Sequence, residues 1–146
     1  KVLGVMLTKP RSRDTEAVVR YYLNFFRAVG SPANPVPEDA MRELILQTIA
    51  RSYDPAGNLR QLAAIMADDT RADELARVRC PTLVLHGDAD PFVLIECGHD
   101  TARRIPGARF AVMEGAGHDL APQVCAQIQH HLLPFLRQHP MTPPTE

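Results

Sequence analysis

The chain has 146 residues, of which 45% are hydrophobic and 23% charged, and these values are ordinary for a single globular domain rather than a disordered chain. Its formal net charge of −1 gives no electrostatic reason to expect a nucleic acid or an anionic membrane surface as a partner. The sequence contains no apolar run of about 18 residues, so we expect no membrane span. The three cysteines form no CxxC pair, and we expect reduced thiols in a cytoplasmic protein.

Residues 1–10 predict a first core strand. The stretch from Val2 to Thr8 is mostly apolar, and Lys9 and Pro10 end it. Position 1 is Lys, and a chain that begins inside such a strand indicates a piece of something longer. An apolar strand with an unpaired edge is prone to pair with another chain. We therefore expect a homo-oligomer or a partner chain, joined through this edge.

Residues 11–79 predict a helical region between two strands. Asp14 is a favourable N-cap for a first helix, which Gly30 ends. A second helix begins near Pro37 and presents an apolar face that includes Met41 and Ile45. A third helix opens at Asp54 and Pro55, and a short helix around residues 72–76 follows. The apolar face of the third helix consists of Leu59, Leu62, Ile65 and Met66.

Residues 80–139 predict an α/β core, and the proline-rich residues 140–146 predict a flexible tail. Strands at 82–85 and 109–113 alternate with helices at 94–105 and 122–138. This order implies parallel strands with right-handed crossovers. Functional groups of such sheets collect at the carboxyl ends of the strands, where Asp90 and His118 both lie.

Two stretches of this core, PTLVLHGDADPF and TARRIPGARFAVMEGAGHDL, resemble the α/β-hydrolase family. The chain is similar to the C-terminal part of that fold: its sixth strand, a helical cap, and the seventh and eighth strands. The resemblance implies that Asp90 is the acid of a Ser-His-Asp triad and that His118 is its base. It implies an esterase-like hydrolase acting on a small molecule with a carboxylic ester or a related acyl bond, and it implies no metal or organic cofactor.

The family also needs a G-x-S-x-G turn for its nucleophile, and this sequence has none. Ser12, Ser31 and Ser52 do not follow a strand at a sharp turn into a helix. The nucleophile is therefore expected on polypeptide outside these residues, so that the chain alone is inactive. In the family the cap roofs the substrate pocket, and the aromatic Tyr22 and Phe26 are candidates for binding substrate, although a helix packing face also explains them.

Other interpretations stay open. The chain could be a non-catalytic binding or assembly module that retains the hydrolase shape, or a separate chain could supply the nucleophile. Asp90 could shape a turn and His118 could cap the last helix. We expect Asp88 to shape its loop and His86 to pack at the end of the strand. Asp119 is expected to support the N-terminus of the last helix.

Overall fold

A helical segment precedes a small parallel sheet along the chain in the computed structural model, which describes residues 4, 5, 8, 10, 12, 14–68 and 70–140. The helical segment comprises α1 (Thr15–Val29), α2 (Glu38–Arg51), α3 (Pro55–Ala67), α4 (Arg71–Glu74) and a 3₁₀ turn (Leu75–Arg77). The second part comprises β1 (Leu83–Gly87), α5 (Ile95–Arg104), β2 (Arg109–Met113) and α6 (Pro122–Gln138). The helices predicted between residues 11 and 139 and the strands predicted at 82–85 and 109–113 are therefore present.

Local signals set the ends of the helices. The Asp14 carboxylate accepts a hydrogen bond from the Ala17 N–H at 3.3 Å, which caps α1. Asp54 caps α3 in the same way, accepting from the Gly57 N–H at 3.1 Å ahead of Pro55. These bonds satisfy amide groups that have no partner within the first helical turn.

The two strands run parallel, with Leu83 opposite Arg109 and Gly87 opposite Met113. Helix α5 connects them and packs on both strands, and α6 packs on β2 and β1. Because the strands end in register, the turns that follow Gly87 and Met113 leave the sheet at the same edge. Among the described residues β1 pairs only with β2, and Leu83 to His86 are half-buried rather than fully buried.

Apolar residues are buried in two small clusters. One lies between α1 and α2 and contains Val19, Leu23, Met41 and Ile45. The other surrounds the turn after β2 and the start of α6, and it contains Ala116, Ala121 and Val124. Val36, in the connection between α1 and α2, packs against both clusters. The helical region is therefore joined to the sheet near the end of α1.

Helix α3 forms as predicted, but its apolar face is not buried. Leu59 is 63% exposed and Met66 is 79% exposed, and no residue of α3 is buried. Within the described part of the chain, α3 packs on no other helix or strand. Its apolar periodicity predicted the helix correctly, whereas the partner for its apolar face is not among the described residues.

The strand predicted for residues 1–10 is wrong at two of the positions that can be examined. Gly4 and Val5 are helical, and the Thr8 N–H donates to the Val5 carbonyl at 3.1 Å. Backbone groups that lack a neighbouring strand are satisfied by local hydrogen bonds instead. Most other residues of this predicted strand lie outside the described residues, as do residues 141–146 of the predicted tail.

Cys80, Cys97 and Cys125 are all free. Among the residues described, none of the helices combines the length and the apolar character that crossing a bilayer requires.

Candidate functional site

The turns that follow β1 and β2 are bonded to each other at the carboxyl edge of the sheet. The Asp88 N–H donates to the Met113 carbonyl at 3.3 Å, and the Ala89 N–H donates to the Ala116 carbonyl at 3.1 Å. Gly87 lies so close to the second turn that a Cβ at this position would be 2.2 Å from the Ala116 oxygen. Glycine therefore allows the two turns to approach closely.

Asp88 has a loop-shaping role, as predicted, but its side chain shapes the neighbouring second turn rather than its own loop. Its carboxylate accepts a hydrogen bond from the Gly115 N–H at 2.7 Å. Gly115 has a φ of 65°, a backbone conformation that favours glycine. Asp88 therefore holds the turn that leads to His118.

Asp90 and His118 are brought together at this edge. The Oδ2 atom of Asp90 lies 2.7 Å from the Nδ1 atom of His118. The other carboxylate oxygen accepts hydrogen bonds from the N–H groups of Phe92 at 2.8 Å and Val93 at 2.9 Å. The Asp90 side chain is only 6% exposed and that of His118 is 43% exposed. The predicted proximity of these two side chains is confirmed.

The environment keeps Asp90 ionised. Burial by itself raises the pKa of the Asp90 carboxyl, because a charged group loses its hydration. Hydrogen bonds from the Val93 N–H, the His118 ring and the Phe92 N–H act in the opposite direction and outweigh burial, so that the pKa of Asp90 lies below its ordinary value. The histidine therefore faces a carboxylate.

The ring and the backbone of His118 are each held by other groups. The Phe92 ring meets the imidazole edge-on, with ring centroids 4.9 Å apart. The backbone N–H of His118 donates to the Val29 carbonyl at the end of α1, at 2.7 Å. With its Nδ1–H donating to Asp90, a neutral imidazole has an unshared electron pair on Nε2 and can accept a proton there.

Sequence reasoning missed a second set of contacts beside His118. Ser31, which is 1% exposed, donates from its hydroxyl to one Asp119 oxygen and from its backbone N–H to the other, both at 2.7 Å. Asp119 also accepts from the N–H of Ala121, the residue before α6, at 3.3 Å, but no side-chain hydrogen bond caps α6, so the predicted support of the last helix by Asp119 stays a prediction. No local pattern signals a contact between residues this far apart in the sequence.

Two cavities lie near these turns. One, of about 350 Å³, is lined by Asp90 and His118 together with apolar side chains that include Val93 and Leu120. The other, of about 550 Å³, lies between the end of α1 and α2, and Phe26 lines it. Tyr22 lines neither of these two cavities. Both aromatic residues pack against the cluster between α1 and α2, and their role in substrate binding stays a prediction.

Other histidines and cysteines lie outside the pair formed by Asp90 and His118. The Nε2 atom of His86 lies 2.8 Å from the Val93 carbonyl, and its ring packs closely on Gly98, which confirms the predicted packed histidine. Cys97 is exposed on α5. Within the described ranges, no group of three or more His, Cys, Asp or Glu side chains is arranged to hold a metal ion.

The chain resembles parts of longer curated proteins. It is 36% identical over 77 residues to ABHD14B of Rattus norvegicus, provisionally named as a protein-lysine deacylase, a match covering 53% of this chain and 36% of the rat protein. It is 31% identical over 116 residues to the non-heme chloroperoxidase CPO-A1 of Kitasatospora aureofaciens, covering 77% of this chain and 41% of that protein. The chain thus spans about two fifths of these relatives. No family model matches it.

Two solved structures share the fold. A protein of Acinetobacter baumannii AYE, lip1, provisionally named as a lipase, superposes with a TM-score of 0.61 at 18% identity, covering 83% of this chain and 43% of that one. Est816, described as an N-acyl homoserine lactone degrading enzyme, gives a TM-score of 0.56 at 19% identity and covers 85% and 51%. These relatives are α/β-hydrolases, and the small parallel sheet flanked by helices is part of that fold. The chain therefore resembles the α/β-hydrolase family in sequence and has part of its fold.

Proposed function

We propose that this chain carries the acid and the base of a serine hydrolase that acts on carboxylic esters or related acyl bonds. Asp90 is the acid and His118 the base. The observation that supports this most is the 2.7 Å contact between the Asp90 carboxylate and the His118 ring, at the edge of the sheet where such groups act. The proposed site uses no metal or organic cofactor.

In this mechanism His118 moves a proton twice. Its Nε2 accepts the proton of a serine hydroxyl as the serine oxygen attacks the carbonyl carbon of the substrate. Asp90 stabilises the positive charge that the imidazole then carries. The same proton passes to the leaving alcohol when the bond between the acyl carbon and that alcohol breaks. A water molecule, deprotonated in the same way, then releases the acid from the serine.

The serine is proposed to lie on polypeptide outside these 146 residues. Ser31 is buried, and its hydroxyl is already bonded to Asp119. Ser52 follows the end of α2, with its backbone N–H bonded to Thr48. Neither follows a strand of the sheet, where a nucleophile of this family would be presented. The chain alone is therefore expected to be inactive.

An acyl substrate agrees with the names of several relatives. One relative is provisionally named as a protein-lysine deacylase, one similar structure is provisionally named as a lipase, and another is described as degrading N-acyl homoserine lactone, so all three names point to substrates that carry an acyl group. The cavity beside His118 has apolar lining residues such as Leu85, Val93 and Leu120, which suit an acyl chain.

The proposed location of the protein is the cytoplasm. Its three free cysteines agree with that location.

The first prediction tests this function with a fluorophosphonate, which labels serines activated by a histidine. The 146-residue chain should not react. A longer polypeptide of the same gene that includes a G-x-S-x-G segment should react and should hydrolyse 4-nitrophenyl butyrate. His118→Ala and Asp90→Ala in the longer polypeptide should each lower kcat by several powers of ten, about 10³-fold or more.

The matched control is His130→Ala, which removes an exposed histidine of α6 and should leave kcat unchanged. Labelling of the 146-residue chain by itself would contradict the proposed location of the nucleophile. Full activity of the His118→Ala variant would contradict the proposed base. A longer polypeptide that folds but neither reacts nor turns over would favour the alternative, an assembly module, for which the exposed apolar face of α3 is the supporting observation.

A further inference from the structure

The turn that carries His118 is hydrogen-bonded to the end of α1 through the residues before and after the histidine, Gly117 and Asp119. We infer that Ser31 and Asp119 are positioning residues for His118, a role that rests on the proposed function of that histidine. Neither residue needs to touch the substrate. Their contribution is to hold the backbone of the histidine turn, and hence the imidazole, at the distance from Asp90 that proton transfer requires.

Four hydrogen bonds make this connection. Ser31 donates from its N–H and its hydroxyl to the two oxygens of Asp119, at 2.7 Å each. The same hydroxyl accepts from the Gly117 N–H at 2.9 Å, and the His118 N–H donates to Val29 at 2.7 Å. The serine hydroxyl thus both donates and accepts, and three consecutive residues of the turn, 117–119, are bonded to residues 29–31.

The connection is tightly packed as well as bonded. Ser31 is 1% exposed and Gly117 is buried. A Cβ on Gly117 would lie 2.4 Å from the carbonyl carbon of Gly30, and one on Gly30 would lie 2.8 Å from an Asp119 oxygen. Glycines therefore stand on both sides of the contact, where any side chain would push the two segments apart. Hydrogen bonds between buried groups are costly to lose, because water does not replace the lost partner.

His118 depends on this support because its side chain is far more exposed to solvent than that of Asp90. The imidazole is 43% exposed, whereas Asp90 is almost fully buried and receives two backbone hydrogen bonds. The acid is therefore fixed by its own turn, and the base depends on the position of its backbone. A displacement of about 1 Å can cost about 100-fold in rate when it affects a reacting group.

A consequence concerns the helical region. Val29 is the last residue of α1, and residues 30 and 31 follow it directly. A movement of α1 is therefore transmitted to the histidine turn by these hydrogen bonds. The helix that packs beside the second cavity is thereby connected to the proposed base, and Phe26 of α1 lines that cavity. The proposed acid has no such connection to α1 among its hydrogen bonds.

The second prediction is that Ser31 and Asp119 hold the His118 ring in place, and nuclear magnetic resonance on the 146-residue chain tests it. The reporter is the downfield resonance of the His118 Nδ1 proton, which Asp90→Asn should abolish and thereby assign. Ser31→Ala and Asp119→Asn should each shift and broaden this resonance and speed its exchange with water. Ser52→Ala, which removes an exposed serine, should leave it unchanged. So should Ile45→Ala, which removes core volume between α1 and α2 and controls for general loss of stability.

Unchanged resonances in the folded Ser31→Ala and Asp119→Asn variants would overturn the inference. A second measurement needs no variant: the Gly117 and His118 amides should exchange slowly with solvent, and exchange as fast as that of the exposed Gly107 would overturn it equally. In the longer polypeptide, both variants should lower kcat by about 10- to 100-fold with little change in KM. If that polypeptide has no activity that depends on His118, the proposed function fails, while the resonance still decides the positioning role.

Discussion

At the scale of single residues, only one of the two aspartates that follow β1 is paired with His118. Asp88 and Asp90 both follow β1, yet only Asp90 faces His118, while Asp88 accepts from Gly115 in the neighbouring turn. Each of the two aspartates is used by the fold. The first builds the turn that carries the histidine, and the second supports the histidine itself.

The third prediction follows from the pKa of Asp90. Because the pKa of this group is lower in the folded chain than in the unfolded one, the carboxylate stabilises the fold above the unfolded pKa, about 3.9. That stabilisation is lost as the pH falls through the folded pKa. Asp90→Asn should therefore lower the free energy of unfolding by about 1–3 kcal/mol at pH 7, and this difference should shrink below about pH 4.

Urea denaturation over a pH series measures this difference. The comparison is made in the unchanged chain, where the His118 ring and the N–H groups of Phe92 and Val93 all bond the Asp90 carboxylate. A difference that stays constant down to pH 3, or that grows as the solution becomes more acidic, would show that the Asp90 carboxylate does not stabilise the fold.

At the scale of whole elements, α1 and α3 differ in packing although their ends are built alike. Both are capped by an aspartate, Asp14 for α1 and Asp54 for α3. Helix α1 buries Val19 and Leu23 against α2, whereas α3 buries none of its residues. Short helices in water are marginal without such packing. The cap therefore determines where α3 begins and contributes little to how firmly it is held.

The fourth prediction concerns hydrogen exchange of these two helices. Amides of α3 should exchange at least about tenfold faster than those of α1, because opening α3 breaks few buried contacts. Helix α1 is the matched reference, since it has a similar length and the same type of cap. Equal protection of the two helices, in a solution dilute enough to keep the chain monomeric, would mean that residues outside the described part of the chain cover α3.

At the scale of the whole molecule, the described residues leave apolar surface uncovered. It spans about two fifths of its curated relatives, and within the described part β1 has one neighbouring strand. Association through the edge from Val2 to Thr8 loses support, because Gly4 and Val5 are helical. The apolar face of α3 is a better candidate. Its members and their exposed fractions are Leu59 63%, Leu62 48%, Ile65 55% and Met66 79%.

The fifth prediction is that the chain associates with itself through this face of α3. Sedimentation velocity at micromolar concentration should give a species larger than the monomer, because burying the four apolar side chains removes them from water. Leu62→Glu with Ile65→Glu should restore the monomer. Gln61→Glu, which adds one charge at an exposed polar position of the same helix, should not. A single monomer boundary for the unchanged chain would contradict association.

The sequence alone was sufficient for the elements from α1 to α6 and for the main pair of the site. Caps such as Asp14 and Asp54 act over three residues, and apolar periodicity acts over a turn or two, so the helices could be predicted. The pairing of Asp90 with His118 could also be predicted, since a strand, a crossover helix and a parallel strand necessarily bring both turns to one edge.

Only the tertiary structure decided which surfaces and side chains meet across long separations. It joined Ser31 to Asp119, it covered Met41 of α2, and it left the equally apolar Leu62 of α3 exposed. It also made Gly4 and Val5 helical where their apolar surroundings predicted a strand. The physical reason is that periodicity specifies which face of an element is apolar, whereas the partner for that face depends on the packing of the whole chain. A hydrogen bond between residues 31 and 119 likewise exists only after α1 has been placed against the sheet.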